Sequence, residues 1–347
     1  MFTTIIATIF VLGVLVFIHE LGHFLVAKRA GIRVDKFSLG FPPTLVSKKI
    51  GETEYAIGVI PLGGYVKMAG DNPDEERTGA PYEFMSKPPW KRFFVISAGP
   101  VMNFVLAVII ISGLFYFRGQ EIERAVIGDV MPGGPAEAAG LLPNDYIINI
   151  DGVEINSTAE MIDEIKDKIE QPLFISWMRG DKLISDTIVT FRDISVTRDG
   201  DTVEVGKIGI TTGRAYERLG LLTSIGAGFN RSVDYTVATF QFIGGFFSGK
   251  SNAGDVGGPL FIAKIAGATA RAGFDILLEF MALLSVNLAV LNILPIPVFD
   301  GGHLMFLVAE KLKGSPLSMK IRLVAQQVGL VFILLLIALI TYNDITR

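Results

Sequence analysis

Apolar residues gather along this chain into long unbroken runs separated by polar stretches. A helix that crosses a bilayer core needs about 20 mostly apolar residues. Runs at residues 2–27, 93–117, 276–298 and 325–342 meet that length. The first is uncharged until Glu20, follows no basic segment and precedes no small-x-small cleavage pattern. It is therefore expected to be a span rather than a removable leader. Between the first two runs, residues 54–60 and 64–68 read as short strands around Pro61-Leu62-Gly63, within a β-loop at about 53–69. Residues 71–90 read as a polar, proline-rich surface loop. From Glu121 to Thr212 the pattern is that of a soluble domain, with strand-like runs at 147–150, 174–178 and 187–191 and an amphipathic helix near 159–169. Further on, Leu222, Ile225, Phe229, Val233, Val237 and Phe240 recur at helical spacing, with Asn230, Arg231 and Asp234 off that stripe. The pattern predicts amphipathic linker helices over 213–275 at the membrane surface, the alternative being a helix packed on the external domain.

Basic residues orient these runs. Lys28, Arg29, Arg33 and Lys36 follow the first, Lys87, Lys91 and Arg92 precede the second, and Lys311, Lys313, Lys320 and Arg322 lie between the last two. The N-terminal end carries no basic residue and the C-terminal end only Arg347. Cytoplasmic loops carry the excess of Lys and Arg, so both termini and the segment between the second and third spans are expected outside the cytoplasm. Composition agrees: half of the 347 residues are hydrophobic and 19% are charged, against about 25% charged in soluble domains. The mean hydropathy is +0.49. A net charge of −4 without a basic cluster argues against a nucleic-acid partner. With no cysteine, disulfides, thiol nucleophiles and Cys-ligated zinc are excluded.

Histidine occurs only at His19, His23 and His303. The first two belong to His19-Glu20-Leu21-Gly22-His23. An i, i+4 pair projects both imidazoles from one helical face toward a single zinc, with the intervening Glu20 able to take a proton from activated water. A charge at the centre of a membrane helix costs roughly 2.5–3.5 kcal/mol on insertion scales, so Glu20 at the end of an apolar span calls for a compensating partner, and a metal supplies one. The plainer alternative ends the span near Ile18 and leaves the motif solvated among headgroups. A catalytic zinc needs a third protein ligand and an open position. Asp300 in Pro295-Ile296-Pro297-Val298-Phe299-Asp300-Gly301-Gly302-His303 is the candidate. It lies where two prolines break a span, as tolerated beside a polar cavity. His303 competes for the ligand role, and spacing does not decide between them.

In this order the motifs resemble the site-2 protease family of intramembrane zinc metalloproteases, within its bacterial regulator-of-sigma-E branch. Beside the two metal motifs, the likeness rests on Gly63-Gly64-Tyr65-Val66-Lys67-Met68, on Gly99-Pro100-Val101-Met102-Asn103, and on Asn287 and Asn292 ahead of Asp300. It implies a polytopic α-helical membrane protein with four transmembrane helices, a membrane-associated β-loop and an inserted extracytoplasmic α+β PDZ domain. The division would be residues 1–120 as the N-terminal membrane half, 121–212 as the PDZ domain, 213–275 as linker helices and 276–347 as the C-terminal membrane half. It also implies Zn2+ held by His19, His23 and Asp300, with Glu20 as the catalytic base. The β-loop, through residues such as Tyr65 and Val66, would receive the substrate as an added strand, and Asn292 and Asn287 would hold its unwound helix. Substrates would be single-pass membrane proteins of the anti-sigma factor or remnant signal peptide class, pre-cleaved by another protease. The location would be the bacterial inner (cytoplasmic) membrane, with the active site toward the cytoplasmic side. The segment Pro132-Gly133-Gly134-Pro135 through Asp151-Gly152 resembles a PDZ core. Two departures stand out: Phe299 replaces the family's leucine before Asp-Gly, and there is room for one PDZ domain rather than a tandem pair. A transporter or a non-catalytic PDZ scaffold is the rival. No inverted repeat favours the first, and the presence of Glu20 disfavours the second.

Overall fold

The computed structural model describes residues 1–71, 78–196, 202–249, 257–315 and 317–346. Part of the proposed 71–90 loop (72–77), and Arg347, lie outside the described residues. Contacts divide the chain into one unit of Met1–Phe115 with Leu221–Arg347, and a second of Tyr116–Gly220.

The first unit opens with α1 (Phe2–Arg29), whose buried residues Ala7, Val11, Leu15, His19, Gly22, His23 and Ala27 follow one helical face. The two histidines therefore continue the stripe that packs into the bundle. Next come β1 (Val34–Ile50) and β2 (Thr53–Met68). Each is long and bends, so the antiparallel pair makes a sheet of four rows. Phe37 pairs with Val66 on one side and Tyr55 on the other, while Ala56 pairs with both Ser38 and Ser47. The row order is 64–68, 34–39, 54–60, 44–50. This corrects the expectation of a turn joining runs 54–60 and 64–68: both pair with 34–39 and flank it, leaving Gly64–Met68 as an edge. Part of the following loop is packed rather than superficial. Arg33 stacks on Tyr82 at 4.4 Å, and the buried Glu83 accepts hydrogen bonds from the Thr78 hydroxyl and the Gly79 amide at 2.6 and 3.1 Å. Helix α2 (Pro89–Phe117) follows.

The second unit contains β3 (Gln120–Ile122), β4 (Ala125–Val130), α3 (Pro135–Ala138), β5 (Tyr146–Ile150), β6 (Val153–Glu154), α4 (Thr158–Lys166), β7 (Pro172–Arg179), β8 (Lys182–Val189), β9 (Phe191–Val196), β10 (Thr202–Lys207), β11 (Ile210–Thr212) and β12 (Ala215–Glu217). Its main sheet runs β11-β4-β5-β7-β8, with β6 on β5. Ile175 and Trp177 alternate along β7, while an irregularity in β5 between Ile147 and Asn149 brings both Ile147 and Ile150 inward; all four share a core with Met161 and Ile165 of α4. Ser157 caps α4 by accepting from the Glu160 amide. Strands β3 and β12 pair with each other and extend the unit on both sides of 121–212.

The first unit then resumes with α5 (Leu221–Phe247), α6 (Pro259–Ala272), α7 (Phe274–Ile293), α8 (Asp300–Lys313) and α9 (Met319–Thr346). Among the described residues four helices are long and apolar enough to cross a membrane: α1, α2, α7 and α9 from Lys320. The third is shorter than the expected 276–298. Pro295 drives Leu294 into an extended conformation (φ −60°, ψ 144°), which ends α7 at Ile293. Helix α5 carries the expected apolar stripe. Its apolar stripe, Leu222 through Phe240, is exposed, while the small Ser224, Gly228 and Ser232 are buried. Gly228 has the Ser112 side chain of α2 in the space a Cβ would fill, and Thr239 bonds Asn287 of α7. Small residues inward and large apolar residues outward is the pattern of a helix packed among membrane helices.

Candidate metal centre

The buried stripe of α1 presents His19 and His23, and α8 begins with Asp300. The loop from Leu294 to Phe299 wraps tightly over this first turn. A Cβ on Gly301 would overlap the carbonyls of Ile293 and Leu294, and one on Gly302 the Ile296 carbonyl and Pro297. Both glycines are thus required for Asp300 to reach α1. The Asp300 Oδ2 lies 3.2 Å from His19 Nε2 and 3.5 Å from His23 Nε2, and the two Nε2 atoms are 3.2 Å apart. These separations match one face of a zinc tetrahedron: bonds of about 2.0–2.1 Å imply edges of roughly 3.3–3.4 Å. Two ring nitrogens facing each other beside a buried carboxylate oxygen that lacks a hydrogen-bond partner form a donor set suited to a cation. The residues present fit zinc.

The outer nitrogens of both rings are held by α2. His23 Nδ1 donates to the Val95 carbonyl at 2.8 Å, which leaves its Nε2 lone pair for the metal. His19 Nδ1 is 3.3 Å from the side-chain amide of the fully buried Asn103. Between them, Gly99 has His23 Nε2 and His19 Cε1 in the space a Cβ would occupy, so α2 passes in contact with both rings.

A cavity of about 540 Å³ opens beside the triad and is lined by Glu20, Tyr65, Val66, Asn292, His303 and Gln326, among others. The backbone of Val66, in the edge row 64–68, reaches the Glu20 carboxylate. Gly64 packs on Glu20 as well, its Cβ position 3.3 Å from Cγ. His303 lines the cavity near the Gln326 amide at 3.5 Å but is not in the cluster of His19, His23 and Asp300. Burial holds its imidazole below the usual range. Asn287 departs from expectation: it does not line the cavity, and its Oδ1 accepts from the Thr239 hydroxyl at 2.7 Å. The amide thus ties α7 to α5.

Sequence reasoning passed over the ion cluster at the other side of the cavity. Glu310 of α8 accepts a bidentate pair from the buried Arg92 of α2 at 2.6 and 3.1 Å, and a further bond from Arg322 of α9 at 3.3 Å. The hydrogen bonds from Arg92 hold the Glu310 carboxyl below its usual range. In the sequence Arg92 and Arg322 stand among other basic residues at span ends, which gives no sign that these two pair inside.

A helical membrane bundle that closes two histidines and a carboxylate around one point, with a glutamate on the same helix turn, defines a membrane metallopeptidase. The chain belongs to Peptidase family M50, the site-2 proteases, whose pattern matches residues 7–336. It is a zinc metalloprotease. A relative in Rhizobium meliloti (strain 1021), named among the zinc metalloproteases, is 37% identical over 99% of this chain and 96% of its own length. The regulator of sigma-W protease of Bacillus subtilis (strain 168) is 29% identical over 99% of this chain and 98% of its own. Among solved structures, the PDZ domain of an SdrC-like protein from Listeria monocytogenes is 28% identical, covering 26% of this chain and 87% of that one with a TM-score of 0.21.

Proposed function

We propose that this protein hydrolyses peptide bonds inside the transmembrane segments of single-pass membrane proteins, of the anti-sigma factor or remnant signal peptide class, after another protease has removed their external portion. The observation that carries the reading is the shared cavity: the triad, Glu20 and the edge residues Tyr65, Val66 and Met68 border one space. His19, His23 and Asp300 are the zinc ligands. Bound zinc supplies Lewis acidity toward water and the scissile carbonyl. Glu20 is the base; its carboxylate takes a proton from the attacking water and returns it to the leaving nitrogen.

A substrate helix hides its carbonyls in its own hydrogen bonds and must unwind before it is cut. The edge at Tyr65 and Val66 offers backbone partners for the freed strand, and the Asn292 amide offers one donor and one acceptor group beside it. The enzyme resides in the bacterial inner membrane with both termini outside. Its active site opens toward the cytoplasm, as the basic residues around α1, α2 and α8 support. Tyr116–Gly220 is a single PDZ domain on the outer side. A Glu20→Gln variant in membranes should keep one zinc per chain and lose cleavage of a single-pass substrate by at least about 10²-fold, the scale of general acid–base catalysis. Undiminished cleavage by that variant would overturn the assignment.

A further inference from the structure

We propose that Asn103 is a positioning residue for the metal centre, selecting the tautomer and orientation of His19 from outside the ligand set. The inference rests on His19 being a ligand, and goes beyond it to a residue 84 positions away. On α2, Val95, Gly99 and Asn103 are four residues apart and share one face. Val95 holds the outer nitrogen of His23, Gly99 lies flat against both rings, and Asn103 meets the outer nitrogen of His19 at 3.3 Å. Each ligand ring is thereby gripped at Nδ1 by the same helix face, one by a main-chain carbonyl and one by a side chain.

The side chain is the informative one. Asn103 is fully buried at the level of a membrane span; its Nδ2 is the end that faces His19 Nδ1, and its Oδ1 has no hydrogen-bond partner, which a buried amide oxygen rarely lacks. An amide has one donor end and one acceptor end of nearly the same shape. Nδ2 suits an unprotonated ring nitrogen and Oδ1 a protonated one. With Nε2 turned to the metal, Nδ1 carries the hydrogen, so the metal-bound state calls for the amide turned over, with the unpartnered Oδ1 in the place of Nδ2 to receive it. That bond fixes the ring plane and raises the basicity of Nε2. Asn103 is itself anchored: the fully buried Ser285 of α7 donates to its main-chain carbonyl at 2.7 Å. The grip therefore runs from α7 through α2 to a ligand on α1, and Leu or Val at 103 would fill the space without supplying the acceptor.

The test is zinc affinity of the full chain in detergent, measured by competition with a chelator of known affinity, on Asn103→Leu, Asn103→Ala and Asn103→Asp. Outer-shell partners of ligating histidines typically contribute 10–100-fold in metal affinity. Leu and Ala should lose that much. Asp keeps an acceptor toward Nδ1–H and should stay within about threefold of the native chain on the same scale. The cobalt(II)-loaded Leu or Ala chain should also show an altered visible spectrum, while the Asp chain keeps the native one. Native affinity in Leu or Ala, whichever accumulates folded, would overturn the proposal. So would an equal loss in Asp, which would mean that packing alone matters. If the native chain itself binds no zinc, the ligand assignment fails instead, so the two failures are distinguishable.

Discussion

Asp300 and His303 lie one turn apart on α8, and both were open as the third ligand from spacing alone. The geometry separates them. Asp300 Oδ2 sits within 3.5 Å of both imidazole nitrogens, whereas His303 faces the cavity and Gln326. Asp300→Asn removes the anionic donor and should lower zinc stoichiometry well below one per chain, while His303→Ala should keep one zinc. Metal analysis of the two purified variants checks this, and the reverse result would exchange their roles. At this scale the sequence was informative where chemistry is local: His19, Glu20 and His23 are adjacent and the helix period does the rest. Asn103 was visible only as part of a motif, because its partner lies on another helix. The neighbour of Asn287 was not legible for a related reason. In a membrane bundle a polar side chain marks an inward face but not which inward neighbour it meets, and here it meets Thr239.

At the level of elements, the β-loop was legible as strands but not as a sheet. Alternation marks 54–60 and 64–68, yet pairing partners are a tertiary property, and the central row 34–39 carries little alternation to announce it. Its consequence is that 64–68 is an edge, with one side bonded to 34–39 and the other toward the cavity. Edge strands accept further strands. Proline at Val66 removes a donor, the one that reaches Glu20, and disturbs the edge. Val66→Pro should therefore lose most cleavage of a membrane substrate while zinc content stays at one per chain; unchanged cleavage would end the strand-addition reading. Helix α5 shows the same limit of pattern reading. Its apolar stripe was clear, but the opposite face, where Ser224, Gly228 and Ser232 are buried, carries no apolar periodicity that would announce its packing.

Across the whole first unit, α9 is the span with least packing. Its apolar window is only 6% buried, against 44% for α2 and 39% for α7. Polar clamps hold it at both ends. Asp344 near its C-terminus accepts from the Gly258 and Phe261 amides at the start of α6, at 3.1 and 3.0 Å. Near its N-terminus Arg322 joins the Arg92–Glu310 pair. No hydropathy window reveals such clamps, since each partner lies on a different element. The Arg92 and Glu310 side chains are 4% and 11% exposed, so removing one partner strands a charge. Breaking a buried pair in this way costs about 3–5 kcal/mol, whereas replacing both partners by apolar residues of similar volume is often neutral. Glu310→Leu should lower the thermal unfolding midpoint in detergent, and Arg92→Met combined with Glu310→Leu should recover part of the loss, since Arg322 still loses its bond to Glu310. The pH dependence follows from Glu310 being held below its usual 4.5. A carboxyl whose folded value is depressed contributes its full stability above the unfolded value and loses it as pH falls through the folded one. The native chain should therefore hold its midpoint down to about pH 5 and lose stability below, with that loss smaller in the double variant. A Glu310→Leu chain as stable as the native one at pH 7 would show that the clamp does not hold α8 and α9 to α2.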